Sequence, residues 1–134
     1  MMDVHRNQVK DFLFYLEKAG MIMQLREHTG GIRELGKVEK VYLANTNIIH
    51  ALAEGNPDKG NIRETFFLSQ MGVIHEVTSS PISDFTIDEF TFEVGGKNKS
   101  QRQIKDTPNA YLVKDDLEFG YLNSIPLWAF GFNY

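Results

Sequence analysis

Residues 83–94 constrain the fold of this 134-residue chain more than any other stretch. Apolar and polar side chains alternate over residues 83–87 and again over residues 90–94, on either side of the pair 88–89. Strict alternation on both sides of a two-residue loop predicts a β-hairpin. Because successive side chains point to opposite faces, one face of this hairpin is predicted to lie on the core. That face carries Phe85, Ile87, Phe90 and Phe92.

Two carboxylates face each other on the opposite side of the predicted hairpin. The same register pairs Asp84 with Glu93, with Cβ atoms about 4.5–5.5 Å apart, a separation at which like charges are destabilising. A divalent cation would convert this repulsion into binding, since hard cations prefer carboxylate oxygens. The alternative is a solvated face on which the two side chains splay apart, and the spacing alone favours it.

Composition limits the classes of function. The chain has no cysteine, which excludes a disulfide framework, a thiol nucleophile and a thiolate zinc site. No run approaches the length of a membrane span and no apolar leader opens the chain, so we expect a cytoplasmic protein without a membrane partner. The net charge of −4 argues against non-specific coating of nucleic acid, so any such contact would use a local basic patch.

Helical and strand patterns alternate along the rest of the chain. The predicted helices cover residues 4–19, 47–53, 62–71 and 101–106, and the predicted strands cover residues 21–26, 37–43, 73–77 and 110–113. Residues 125–134 form an aromatic tail with period two, which is expected to be core or an edge strand. Asn61 is predicted to cap the third helix, and an amphipathic stripe runs along the first. This order predicts a mixed sheet flanked by helices, of the α/β or α+β class.

The densest basic cluster follows the hairpin. It consists of Lys97, Lys99, Arg102 and Lys105. A lysine beside a metal site can stabilise the charge that develops on a phosphate. A solvated loop and helix face is the alternative, and charge alone favours it.

Five segments of the chain occur in an order that resembles one protein family. They are residues 9–20, 40–43, 62–67, 83–85 and 92–97. The chain is similar, over essentially its whole length, to the C-terminal region of bacterial AAA-type ATPases. In that family a P-loop ATPase and a winged-helix segment precede a domain of unknown function, which is similar to the PD-(D/E)XK, restriction-endonuclease-like nucleases. No single motif is decisive alone.

The resemblance implies a division into residues 1–55 and residues 56–134. The first would be a partial winged-helix segment, with a recognition-like helix and a wing hairpin. Arg6, Asn7 and Lys10 would then contact DNA. The second would be the nuclease-like domain. Because the earlier helices of a winged helix are missing, we expect this chain to be part of a longer protein with an N-terminal ATPase module. This chain lacks the P-loop motif, so no ATP is expected to bind it.

The resemblance also implies a catalytic site. Glu64, Asp84 and Glu93 would ligate Mg²⁺ or Mn²⁺, and Lys97 would be the catalytic lysine. The family motif, however, has a lysine two residues after the acid, and here that position is Gly95.

This departure favours one of three functions. The first is an accessory DNA-binding domain of an AAA-type ATPase with a nuclease-like fold and a degenerate site, in which Lys97, Lys99, Arg102 and Lys105 contact phosphates. The alternatives are an active metal-dependent DNA endonuclease, favoured by the three retained carboxylates, and a protein-interaction or homo-oligomerisation module, suggested by the aromatic tail.

Overall fold

Residues 5–133 are described by a computed structural model. The helices are α1 (Arg6–Lys18), α2 (Thr46–Leu52) and α3 (Lys59–Met71), with short 3-10 helices at Arg33–Leu35 and Leu127–Phe132. The strands are β1 (Ile22–Arg26), β2 (Val38–Leu43), β3 (Thr78–Ser79), β4 (Phe85–Ile87), β5 (Phe90–Gly95), β6 (Ala110–Lys114) and β7 (Ser124–Pro126). The predicted mixed α/β class is confirmed.

The strands form two sheets. β1 and β2 make an antiparallel hairpin, and the other five make an open sheet in the order β3-β4-β5-β6-β7. β3, β4 and β5 are antiparallel, whereas β5, β6 and β7 run parallel. The carboxyl ends of β5, β6 and β7 therefore meet at one edge of the sheet.

The hairpin predicted from residues 83–94 is confirmed in its register. Phe85 pairs with Phe92 and Ile87 with Phe90. The predicted core face is also confirmed, because Phe85, Ile87 and Phe92 are buried and Phe90 is half-buried. The ladder ends at Phe85, so Asp84 lies just outside it.

An aromatic cluster joins α3 to this hairpin. The ring of Phe67 lies 5.1 Å from that of Phe85, 5.2 Å from that of Phe92 and 4.9 Å from that of Phe130, measured between centroids. Leu25 of β1 and Tyr42 of β2 belong to the same buried cluster. One core therefore contains residues from both sides of position 55.

The start of α3 differs from the sequence-based expectation. The helix begins at Lys59 because Asp58 caps it, with its Oδ1 accepting from the backbone N–H of Asn61 at 2.7 Å. Asn61, the predicted cap, lies inside the first turn. A carboxylate that reaches the third residue of a helix is a strong N-cap.

Two other predicted elements are wrong. Residues 73–77 form no strand, since the chain turns after Gly72 and leaves Val73 and Ile74 exposed. Residues 101–106 form successive turns, anchored by the buried Ile104, and not a helix. The aromatic tail over residues 125–134 contains the end of the short edge strand β7 and then a 3-10 helix; Tyr134 lies outside the described residues.

The apolar stripe of α1 stays exposed. No residue of this helix is buried, and Phe12 remains 56% exposed. The helix packs chiefly on β1, where the Glu17 carboxylate accepts from the Gln24 side chain at 2.9 Å. Within residues 5–133, no helix combines the length and the apolar character needed to cross a membrane.

Candidate functional site

Glu93 is a buried carboxylate on β5. Its side chain points away from the Phe92 face, because neighbouring residues of a strand alternate. Only 1% of the residue is exposed. The Ser83 hydroxyl donates to its Oε2 at 2.5 Å, and the Lys99 ammonium forms an ion pair with its Oε1. Both carboxylate oxygens therefore have a donor, as a buried charge requires.

Asp84 approaches the same strand from the other side of the hairpin. Its Oδ2 accepts from the backbone N–H of Val94 at 2.8 Å, just beyond the last ladder pair. Burial raises the pKa of the Asp84 carboxyl. The hydrogen bond from Val94 lowers this pKa, and the negative charges of Glu93 and Glu64 raise it further, so it is raised overall. Asp84 therefore lies near the Glu93 charge, although it is not a ladder partner of Glu93.

Glu64 lies on α3 and faces the β1–β2 hairpin. Its Oε2 accepts from the Tyr42 hydroxyl at 2.5 Å and from the Lys40 ammonium at 3.2 Å. Burial, followed by this carboxylate contact, raises the pKa of Tyr42. The Lys40 nitrogen also lies 3.9 Å from Asp84 Oδ1, so one ammonium links two of the predicted site carboxylates.

Lys99, and not Lys97, lies against the acid of the hairpin. A Cβ added at Gly95 would come within 2.6–2.7 Å of the Lys99 Cβ, Cγ and Cδ, so the lysine stem crosses the glycine. Lys97 is exposed, and its carbonyl accepts from the Lys114 ammonium at 3.2 Å. Burial lowers the pKa of Lys99, but its hydrogen bond to Glu93 and the charges of the three carboxylates outweigh this and raise it overall.

These side chains form one carboxylate–lysine cluster, which consists of Glu64, Asp84, Glu93, Lys40 and Lys99. The sequence did not predict Lys40, because only tertiary packing brings β2 to α3. It also did not predict Ser83 as a partner of Glu93. The signal for Lys99 was present, since a glycine at the motif lysine position leaves room for a side chain from elsewhere.

The cluster does not fit the predicted Mg²⁺ or Mn²⁺ site as it is arranged. Within residues 5–133, no group of three or more histidine, aspartate or glutamate side chains is placed to hold a metal ion. Hydroxyl, amide and ammonium donors contact the three carboxylates instead. Lysine ammonium groups therefore supply the positive charge at this site.

A cleft of about 600 Å³ opens beside the cluster. Lys40, Ser83 and Asp84 line it, together with the acidic Glu27 and Glu39 of the first hairpin. With three carboxylates and one ammonium on these walls, the cleft disfavours a polyanion.

A second cleft, the basic cleft, lies between α1 and the β1–β2 hairpin. Its volume is about 550 Å³. Four cations and one anion line it: Arg6, Lys10, Arg26, Lys37 and Glu34. Two of the cations have protein partners, since Arg26 donates to the Gly36 carbonyl at 3.2 Å and Lys37 pairs with Glu39 at 2.7 Å. Arg6 and Lys10 form no ion pair within residues 5–133.

The other predicted nucleic-acid residues are divided by the fold. Asn7 is exposed on α1, beside Arg6. Lys97, Arg102 and Lys105 are exposed on the connection between β5 and β6, whereas Lys99 is half-buried against Glu93. Lys99 is therefore engaged within the fold and is a poor phosphate ligand in this arrangement.

Comparisons with protein-family models, with curated proteins and with solved structures find no match to this chain. The similarity to AAA-type ATPases and PD-(D/E)XK nucleases therefore stays a prediction from the sequence. Function must be inferred from the carboxylate–lysine cluster and the clefts themselves.

Proposed function

We propose that this chain is a nucleic-acid-binding domain that grips the phosphate backbone in its basic cleft. The observation that carries the proposal is that four cations line one cleft. Arg6 and Lys10 extend from α1, and Arg26 and Lys37 belong to the first hairpin. The resemblance adds the proposal that the domain serves an AAA-type ATPase module in the same protein and has a restriction-endonuclease-like sheet.

Charge and geometry support backbone contacts at this cleft. Arg6 and Lys10 lie four residues apart, so they extend from one face of the helix. The helix forms one wall of the cleft and the β-hairpin forms the neighbouring wall, so cations lie on both walls. Arginine and lysine contacts to phosphates provide most of the affinity in sequence-independent binding. The rest of the acidic protein surface repels a polyanion, whereas the basic cleft attracts it, so the polyanion approaches the protein at the cleft.

The carboxylate–lysine cluster supports a binding role without hydrolysis. Lys99 compensates the buried Glu93, and Lys40 compensates Glu64 and Asp84. A buried carboxylate is tolerated in a fold when a cation and hydrogen bonds satisfy it. We therefore infer that the cluster fastens α3, the first hairpin and β5 together, which holds the basic cleft in place.

The binding proposal is tested by the salt dependence of DNA affinity. In fluorescence anisotropy with a short duplex, the double variant Arg6→Gln/Lys10→Gln should bind more weakly. The slope of log affinity against log salt should also flatten by about two, since each lost phosphate contact removes about 0.9. Lys18→Gln is the matched control, because Lys18 lies on the same helix outside the cleft. An unchanged slope in the double variant contradicts the proposal.

The absence of hydrolysis is tested separately. Incubation of plasmid DNA with the protein and Mg²⁺ or Mn²⁺ should leave the plasmid intact, and chelation of metal should leave duplex binding unchanged. Metal-dependent cleavage that is lost in both Glu93→Ala and Lys99→Ala would show that the cluster is an active endonuclease site. No measurable binding of the wild type to the DNA duplex would instead favour the protein-interaction alternative.

A further inference from the structure

A third cleft lies at the carboxyl edge of the parallel strands. β5 ends at Gly95, β6 at Lys114 and β7 at Pro126, all on this edge. We call it the Trp128 cleft; its volume is about 370 Å³, and α2, α3 and the last 3-10 helix close its sides. In open α/β sheets, ligands bind in the crevice outside the carboxyl ends of the strands. Small-ligand sites have volumes of about 300–1,000 Å³, so the size also fits.

One wall of the Trp128 cleft is aromatic and fixed. The Trp128 indole is 56% exposed, yet its Nε1–H donates to the Leu117 carbonyl at 3.0 Å and its ring meets Phe132 edge-on. Phe66 and Leu127 extend the same wall. A half-exposed indole that is held by its N–H offers a flat surface on which a planar ring can stack.

The polar side of the cleft carries two cations, Arg63 and Lys114, and two carboxylates, Asp115, which Arg63 engages, and Asp116. The Arg63 Nε–H donates to Asp115 Oδ2 at 2.9 Å, and the guanidinium lies over Gly96, where an added Cβ would be 3.2–3.3 Å away. Lys114 extends toward the Lys97 carbonyl at 3.2 Å. Arg63 and Lys114 therefore have partners that fix their positions, and both line the cleft.

A flat aromatic wall beside positioned cations selects a ligand that has both a planar ring and an anionic group. We propose that the Trp128 cleft binds one nucleotide unit, with its base on Trp128 and its phosphate at Lys114 and Arg63. Asn47 and His50 of α2 line the same cleft and can hydrogen-bond to the base edge. The unit is either a mononucleotide or one nucleotide of a single strand. This inference does not depend on the basic cleft.

The sole tryptophan of the chain makes the test site-specific. Adenosine monophosphate should quench the emission of Trp128 saturably, after correction for its absorbance. Ribose 5-phosphate, which lacks the base, should not quench, and adenosine should bind about a hundredfold more weakly than the nucleotide, the loss expected for two charge-assisted contacts. A four-residue oligodeoxyadenylate that binds more tightly than the mononucleotide identifies the strand as the source. Equal or weaker binding identifies the mononucleotide.

Variants separate the cleft from the rest of the protein. Lys114→Met should weaken binding of adenosine monophosphate about tenfold, whereas Lys18→Met, at an exposed lysine outside the cleft, should leave it unchanged. Trp128→Leu should remove the saturation-transfer NMR signal of the bound nucleotide while the far-UV circular dichroism stays that of the wild type. If that variant unfolds, the affinity of Lys114→Met decides whether the nucleotide binds in the Trp128 cleft.

Two results would overturn the inference. One is no saturable response to either the mononucleotide or the oligonucleotide. The other is an equal affinity in Lys114→Met and wild type. The quenching should persist in Arg6→Gln/Lys10→Gln, so a failure of the basic-cleft proposal leaves this test intact.

Discussion

The aliphatic stem of Lys99 lies across Gly95, in the space that a side chain at position 95 would occupy. The ammonium at the end of that stem pairs with the buried Glu93, which precedes Gly95 by two residues on the same strand. A lysine at position 95 would start from this same face of β5. The glycine therefore allows a lysine four residues further along to reach the acid.

Gly95→Ala should destabilise the fold by about 1–3 kcal/mol, the usual cost of overpacking a filled site. The added Cβ would come within 2.6–2.7 Å of three Lys99 carbons close to its backbone, which have little freedom to move. The measurement is the free energy of unfolding in urea.

Gly96→Ala is the matched control for that change. Its Cβ would meet the end of the Arg63 side chain at 3.2–3.3 Å, and a shift of a few tenths of an ångström relieves that contact. Its loss should be smaller than that of Gly95→Ala. Equal losses in the two variants would show that the lysine does not cross the glycine in solution.

Lys99→Met should cost about 3 kcal/mol of unfolding free energy, because it leaves the Glu93 charge buried and unpaired. This is the low end of the usual cost, since the Lys99 side chain is 36% exposed while that of Glu93 is 2% exposed. The double variant Glu93→Gln/Lys99→Met should recover most of the loss, because no charge remains to be compensated. If the effects of Glu93→Gln and Lys99→Met on the free energy of unfolding are simply additive, the two side chains do not interact and the ion pair is contradicted.

Asp84→Asn should gain stability relative to the wild type as the pH rises. Burial raises the pKa of Asp84 above its ordinary value of 3.8, so the folded wild type holds this proton more tightly than the unfolded chain. The wild type therefore loses stability as the pH rises from about 4 through the raised pKa, whereas asparagine does not ionise. The backbone N–H of Val94 keeps an acceptor, because asparagine retains a side-chain oxygen.

Urea unfolding at about pH 4 and about pH 7 measures this effect. Asp88→Asn serves as the control, since Asp88 is exposed in the hairpin loop and asparagine tolerates its positive φ of 51°. A difference between Asp84→Asn and the wild type that stays constant across this range would contradict the raised pKa.

The hairpin was predictable because its rules are local. Alternation sets which side chains share a face, and a two-residue loop sets which residues pair, so Phe85 and Phe92 could be matched from the sequence. Asp84 shows where these rules stop. The ladder ends one residue before it, and its carboxylate turns to the backbone of Val94.

The partners of the carboxylates were not predictable, because they are tertiary. Lys40 reaches Glu64 only after β2 packs beside α3, and no spacing along the chain encodes that approach. Lys97 was predicted to be the lysine of the site because it is the first lysine after Glu93 in the sequence, as the family motif requires. The strand ends at Gly95, so the distance of a later lysine from Glu93 no longer follows from its position in the sequence. The turn after Gly95 brings Lys99 back to Glu93.

Phe12→Ala should change the free energy of unfolding by no more than about 0.5 kcal/mol. The stripe on α1 has the spacing of a core-facing helix, but Phe12 is 56% exposed and no residue of α1 is buried. Phe67→Ala is the contrasting variant, because Phe67 is fully buried among the rings of Phe85, Phe92 and Phe130. Truncation there should cost about 3–5 kcal/mol. Urea unfolding of both variants gives the comparison, and a loss near 3 kcal/mol in Phe12→Ala would mean that α1 packs into a core in solution.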